Sequence, residues 1–325
     1  MPLTDKDLLI DADRIVYAVG FACQKTVYTL GSLHFNTKTE VKEYMEANPE
    51  LVAEMFGQEL VLEPVANCLH SVKLMLDAIV RITTGKYHIF LGGKGNFRLK
   101  IDPQYKANRI DSPKPVYYQD IRDYMVKFWG AEIVEGMEAD DIVAMLQTED
   151  TVIVSGDKDL LQVPGYHYNP QKPDLGVYKV GVAESARNFY TQMLAGDATD
   201  NIKGLGAVPE EIIQEYELHH SSRKGCGLVS ASRLLENCMT AAEMHQRVLD
   251  VYTVKHGGDN EKAFADFLQQ GKLLWLCRSL EPETGAPEQW DGMVHPSYIE
   301  ADTGSCDLCS ADNGGVCMGG LLASV

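Results

Sequence analysis

Short apolar runs that break off into polar residues, most of them into carboxylates, constrain this chain more than any other feature. The runs are Leu8–Ile10, Tyr87–Leu91, Glu132–Val134 and Thr151–Val154, with Val177–Val180 as a fifth. Runs of this length read as strands, and helical patterns lie between them. The stretch from Pro64 to Ile82 opens with proline in its first turn. It places Val65, Leu69, Val72, Leu76, Ile79 and Val80 on one face. Such alternation predicts an α/β fold over residues 1–181, a mostly parallel central sheet flanked by helices. From about Val182 the strand signals stop. Ala183–Ala195, Pro209–Leu218, Val229–Leu235, Ala241–Val251 and Glu261–Gln270 read as helices of a second region, 182–290. Residues 291–325 hold no Lys or Arg and no periodicity, and are expected to be a disordered tail. Residues 24–61 receive no assignment.

Ligands of open α/β sheets gather beyond the carboxyl ends of the strands, and that is where the acids fall. Asp11 follows the first run, with Asp13 two residues on. The third run leads into Glu138-Ala139-Asp140-Asp141, which opens a helix. The fourth leads into Asp157-Lys158-Asp159, whose two acids project to one side of an extended segment. Asp197 and Asp200 follow later. Clustered carboxylates raise one another's pKa unless a cation neutralises them. An all-oxygen set without His or Cys selects Mg²⁺ or Mn²⁺ over zinc. Two such ions about 4 Å apart would suit phosphodiester hydrolysis.

The basic counterpart is residues 94–127, with eight bases and four acids. At its centre Tyr105-Lys106-Ala107-Asn108-Arg109 pairs two bases with an aromatic ring, a set suited to grasping phosphate and stacking a base. In the helical region Ile202-Lys203-Gly204-Leu205-Gly206 and Gly225-Cys226-Gly227-Leu228 each set two glycines where a turn meets a helix. Backbone N–H groups can approach a phosphate there.

The formal charge of −18, from 29 Lys+Arg and 47 Asp+Glu, argues at first sight against a polyanionic partner. No apolar run approaches a membrane span, and the first residues lack a signal-peptide pattern, so a cytoplasmic protein without membrane contact is expected. Cys306, Cys309 and Cys317 are one ligand short of a zinc site and read as thiols on the tail.

LLIDAD (8–13), FRLKIDPQYKANR (97–109), GMEADDIVAML (136–146), VIVSGDKDLLQV (152–163) and GDATDNIKGLG (196–206) together resemble the 5′-nuclease, or flap endonuclease, family. The likeness is to bacteriophage 5′→3′ exonucleases and to the 5′-nuclease domain of bacterial DNA polymerase I. It covers roughly residues 8–206, and GCGLVSASRLL (225–235) extends it more loosely. The resemblance implies a PIN-like core, a helical arch near 94–127 and a helix-three-turn-helix, or helix-hairpin-helix, from Lys203 to about Leu235. It implies that Asp11, Glu138, Asp140 and Asp141 hold a first metal and that Asp157, Asp159, Asp197 and Asp200 hold or orient a second. Lys106 and Arg109 would act on the scissile phosphate beside Asp11, Asp141 and Asp157. Arg98, Tyr105, Lys203, Gly204, Gly206, Gly225 and Gly227 would contact nucleic acid, with K⁺ at the second motif. Expected substrates are DNA 5′ ends, flaps and RNA–DNA primers. A replicative polymerase is an expected partner and the monomer the expected state. Two departures stand out. Leu91-Gly92-Gly93-Lys94-Gly95 lacks an acid that many members carry, and eighteen residues (207–224) separate the two glycine turns.

Two other readings compete. LLIDAD, VIVS and GDATD also fit a haloacid-dehalogenase-type phosphatase, though Glu138–Asp141 and YKANR have no place in one. A non-catalytic DNA-binding replication accessory on the same fold is invited only by the missing acid at Gly93.

Overall fold

The structure, a computed structural model, describes residues 5–48 and 56–299. Its centre is a six-stranded sheet in the order β6-β5-β1-β7-β8-β9. The strands are β1 (Asp7–Asp11), β5 (Tyr87–Gly92), β6 (Glu132–Val134), β7 (Thr151–Val154), β8 (Gly165–Tyr168) and β9 (Val177–Val180). All neighbours pair in parallel except β9, which closes one edge antiparallel to β8. The first run pairs on both sides, Ile10 opposite Ile89 and Val154. The order therefore turns about β1, and the crevice beyond its carboxyl end is the topological switch point.

The period of two explains why these strands are apolar throughout. Leu8, Ile10, Ile89, Leu91, Val152 and Val154 face a core closed by α1 (Asp13–Ala22), α3 (Val65–Val80) and α5 (Tyr118–Trp129). Leu9, Phe90 and Ile153 face the other way, onto Ala139, Val143 and Ala144 of α6 (Ala139–Leu146). The described part of the unassigned stretch 24–61 contributes a separate antiparallel sheet, β2 (Gln24–Leu30), β3 (Leu33–Phe35) and β4 (Phe56–Leu62), in the order β3-β2-β4. α2 (Lys38–Ala47) accompanies it, capped where Thr37 Oγ1 accepts the Glu40 N–H at 3.1 Å.

From Val182 the described chain is helical: α7 (Val182–Ala195), α8 (Glu210–Glu215), α9 (Leu228–Leu235), α10 (Ala241–Lys255) and α11 (Asn260–Leu274). Residues 275–299 follow in largely irregular structure, and Tyr298, expected in a disordered tail, is instead buried in the helical core. Phe189, Tyr190, Tyr252 and Phe267 are the large buried side chains of that core. Tyr105 also belongs to this core, so the basic segment is anchored on the helices. Where a helical arch was expected, residues 94–117 make one short helix, α4 (Arg98–Ile101), and a single 3₁₀ turn at Ala107–Arg109. Cys306, Cys309 and Cys317 lie outside the described residues.

Candidate active site

A cleft of about 1190 Å³ opens at the switch point. Asp11 ends β1 there, 7% exposed. Its Oδ2 accepts from Ser155 Oγ at 2.9 Å, and Ser155 Oγ in turn accepts the Asp157 N–H at 3.0 Å. One serine at the end of β7 thus ties the first acid to the Asp157 loop. Burial, then the charges of Asp13 and Asp157, push the Asp11 carboxyl up to about 7.

The remaining acids meet bases. Asp157 pairs with Arg14 at 3.2 Å. Lys158 bridges Asp159 at 2.7 Å and Asp197 at 2.5 Å. Burial and the charge of Asp157 raise Asp159. At Asp197 burial pulls upward, but the Lys158 ammonium outweighs it and the group is lowered. Glu138 and Asp200 share Lys106 and both accept from the Tyr105 hydroxyl, at 2.7 and 3.1 Å. Arg109 pairs with Asp200 and donates through Nε to the Thr199 carbonyl at 2.7 Å. Burial pushes Glu138 up, but Lys106 and Arg98 hold it below its usual range. Residues 104–109 are laced to 197–201 by further bonds, Lys106 N to Asp200 O (2.9 Å), Asn108 to Ala198 O (2.8 Å) and Asn201 to Gln104 O (2.7 Å).

Asp140 has no such partner. Its Oδ1 is buried without a hydrogen bond. Burial, then the charges of Glu138 and Asp141, raise it well above the carboxylate range. As the side chains stand, no three His, Cys, Asp or Glu among the described residues converge enough to hold a metal ion. Lysine and arginine groups pair with the cleft carboxylates other than Asp11 and Asp140.

Several expected site residues are placed elsewhere by the structure. Asp141 is fully buried and accepts four bonds: from Arg98 at 2.8 and 2.7 Å, Glu138 N at 3.1 Å and Cys277 N at 3.0 Å. It anchors the start of α6 to the end of the helical region and offers the cleft no face. Arg98 is 1% exposed, its remaining donors spent on the Leu273 and Trp275 carbonyls at 3.0 and 2.5 Å. It is not presented to nucleic acid. Tyr105 is 5% exposed with its hydroxyl engaged, so it cannot stack a base. Gly204 is buried and its N–H donates to Gln270 at 3.0 Å, which removes it from phosphate contact. Lys203 and Gly227 are exposed, and Gly206 and Gly225 half-buried. Cys226 N bonds Gly206 O at 2.7 Å, so the two glycine turns meet and residues 207–224 loop out between them. Arg14, Lys158, Ser155 and Arg122 were missed as site residues. Lys158 had a signal, standing between two acids; the others had none beyond their neighbours.

This sheet order, with the crevice at its switch point, is that of an open, mostly parallel α/β sheet. Residues 60–179 match the family domain described as 5′-3′ exonuclease, N-terminal resolvase-like domain. The chain is 27% identical over 185 residues to DNA polymerase I of Streptococcus pneumoniae R6, covering 49% of this chain and 21% of that protein. It is 27% identical over 169 residues to the 5′-3′ exonuclease of Mycobacterium tuberculosis H37Rv, covering 41% of this chain and 53% of that protein. The matches therefore span about a fifth to a half of these relatives. A crystal structure of T5 D15 protein co-crystallised with metal ions aligns over 81% of this chain and 98% of that one, at 14% identity and a TM-score of 0.40. No helix among the described residues is long and apolar enough to cross a membrane.

Proposed function

We propose that this chain is a divalent-metal-dependent 5′→3′ exonuclease and 5′-flap endonuclease that hydrolyses phosphodiester bonds in DNA or in RNA–DNA primers. The observation that carries the reading is the cleft at the switch point, where acids and bases alternate and Asp140 Oδ1 is buried with no partner. A hard divalent cation fits an orphaned carboxylate oxygen among all-oxygen donors. Asp11, Glu138 and Asp140 would hold one ion, and Asp157, Asp159, Asp197 and Asp200 would hold or orient another. When bound, such ions supply an activated water and charge stabilisation for phosphoryl transfer.

The chain's own groups supply the rest. Lys106 and Arg109 reach the cleft from the segment laced to 197–201, and would grip the non-bridging oxygens of the scissile phosphate. Ser155 keeps Asp11 and the Asp157 loop in register. Lys203, Gly206, Gly225 and Gly227, on the exposed side of the joined glycine turns, would meet the duplex, with K⁺ as a further ligand of that turn. The test is cleavage of a 5′-flap duplex with Mg²⁺ or Mn²⁺. Wild type should release 5′-terminal products, and EDTA should stop it. Asp157→Ala with Asp159→Ala should abolish cleavage while the protein still binds the flap. Undiminished cleavage by the double variant would refute the assignment.

A further inference from the structure

Of the four adjacent parallel strands β6-β5-β1-β7, β1, β6 and β7 lead into acids, while β5 leads into Gly92-Gly93. A side chain at either glycine would displace what now stands there, backbone at Gly93 and a carboxylate at Gly92. A Cβ on Gly93 would lie 2.6 Å from the Val134 carbonyl oxygen and 2.7 Å from the Glu135 carboxyl carbon. A Cβ on Gly92 would lie 2.7 Å from Oδ2 of Asp13. The space a side chain would take at Gly93 is therefore filled by Val134 and Glu135, and that at Gly92, the last residue of β5, by a carboxylate delivered from α1.

That carboxylate is held in place. Its Oδ2 accepts the Gly92 N–H at 2.9 Å, and its Oδ1 accepts from Arg122 at 3.0 Å. The Arg122 side chain is 8% exposed, and its other terminal nitrogen donates to the Gly92 carbonyl at 2.6 Å. One arginine of α5 thus clamps Asp13 and the end of β5 together. Asp13 differs from Asp141 in what it leaves free. Asp141 accepts four bonds with none of its side chain exposed, whereas Asp13 accepts two and remains 34% exposed, lining the cleft.

We propose that Asp13 is the carboxylate that β5 does not supply, a ligand for the divalent cation of the cleft, and that Arg122 is its positioning residue. The inference rests on the function proposed above. Mn²⁺ alone, titrated into the full chain and followed by the free-ion EPR signal, tests it without reference to cleavage. Asp13→Asn keeps the shape of the side chain and should weaken Mn²⁺ binding at least tenfold. Arg122→Gln should weaken it about tenfold, as losing an outer partner of a ligand does. Glu149→Gln, at the opposite edge of the sheet beside Lys179, removes the same charge and should leave the affinity unchanged. Melting in metal-free buffer verifies that each variant is folded. If wild type binds Mn²⁺ and Asp13→Asn binds it equally well, the role of Asp13 is overturned while the cleft assignment stands. If wild type binds no Mn²⁺, both fall.

Discussion

Replacing Arg98 by methionine isolates a buried ion pair whose role is structural. Arg98 is 1% exposed and Asp141 fully buried. The substitution keeps most of the side chain's volume and removes four bonds: two to Asp141 and one each to the Leu273 and Trp275 carbonyls. Breaking a buried pair by removing one partner costs about 3–5 kcal/mol, because the other charge is left uncompensated. Asp141 would keep two backbone donors, Glu138 N and Cys277 N, which pulls the estimate toward the lower end. The two orphaned carbonyls, at about 1–3 kcal/mol each when buried and unpaired, pull it back up. Urea unfolding followed by tryptophan fluorescence reads this directly, since Trp275 is 3% exposed and joined to the pair through its carbonyl. Arg98→Met with Asp141→Leu should recover about 2 kcal/mol or more relative to the single variant, the signature of coupling in a double-mutant cycle. A loss below about 1 kcal/mol in Arg98→Met, or strictly additive effects, would refute the argument.

The raised pKa of Asp11 means the folded state holds its proton more tightly than the unfolded chain does. Its contribution to stability is therefore lost as pH climbs from about 4, the unfolded value, through about 7. In metal-free buffer at pH 8, Asp11→Asn should be more stable than wild type by on the order of 2–4 kcal/mol, with a flatter stability profile over that window by urea unfolding; an unchanged profile would refute the burial argument. Gly204 has φ +60°, and a Cβ there would lie 2.3 Å from Gly196 N, so Gly204→Ala should cost at least about 1–3 kcal/mol, read by the same unfolding transition. Because Lys106, Arg109 and Lys158 are tied to acids, affinity for a 5′-flap duplex should rise at least tenfold when Ca²⁺ replaces EDTA and should then fall more steeply with salt; equal binding in both, by fluorescence anisotropy, would refute the exchange.

What was legible in the sequence follows from burial. β7 falls on the residues expected because a strand packed on both faces carries a continuous apolar run, and the edge strands β6 and β9 also fall on the residues expected, although β6 is largely exposed. The β2–β4 sheet was not legible for the opposite reason. Phe56–Leu62 is exposed along nearly its whole length, and Gly57-Gln58-Glu59 break its pattern, leaving only Leu60–Leu62 as an apolar run just before the proline that opens the next helix. β8 was hidden by Gly165 and by His167, whose imidazole is buried against the Val163 carbonyl at 2.8 Å. The positions of the acids at strand ends could be read because local sequence sets them. Their partners could not. Arg98 and Tyr105 have the look of nucleic-acid contacts, yet both are buried, because the groups that enclose them come from far along the chain. Arg98 meets carbonyls at 273 and 275, and Tyr105 meets Glu138 and Asp200. The same long-range closure spends the Gly204 amide on Gln270.

The charge of −18 describes the binding face poorly, because the cleft acids are almost all balanced where they sit. Asp13 is matched by Arg122, Glu138 by Lys106, Asp157 by Arg14, Asp159 and Asp197 by Lys158, and Asp200, beside the cleft, by Lys106 and Arg109. Among the described residues, Asp11 and Asp140 are the cleft acids in no ion pair. They also carry strongly raised pKa values, Asp11 at about 7 and Asp140 well above its ordinary range, each with burial as the leading cause. A buried carboxylate without a counter-charge either takes up a proton or takes up a cation. The demand for positive charge is therefore local, centred on the end of β1 and the first turn of α6. On the function proposed above, a cation meeting that demand would compete with Lys106 and Arg109 for the neighbouring acids, and the bases so released are those nearest the place a phosphate would occupy. Net acidity and a polyanionic substrate are compatible because the same arginines and lysines serve both states in turn.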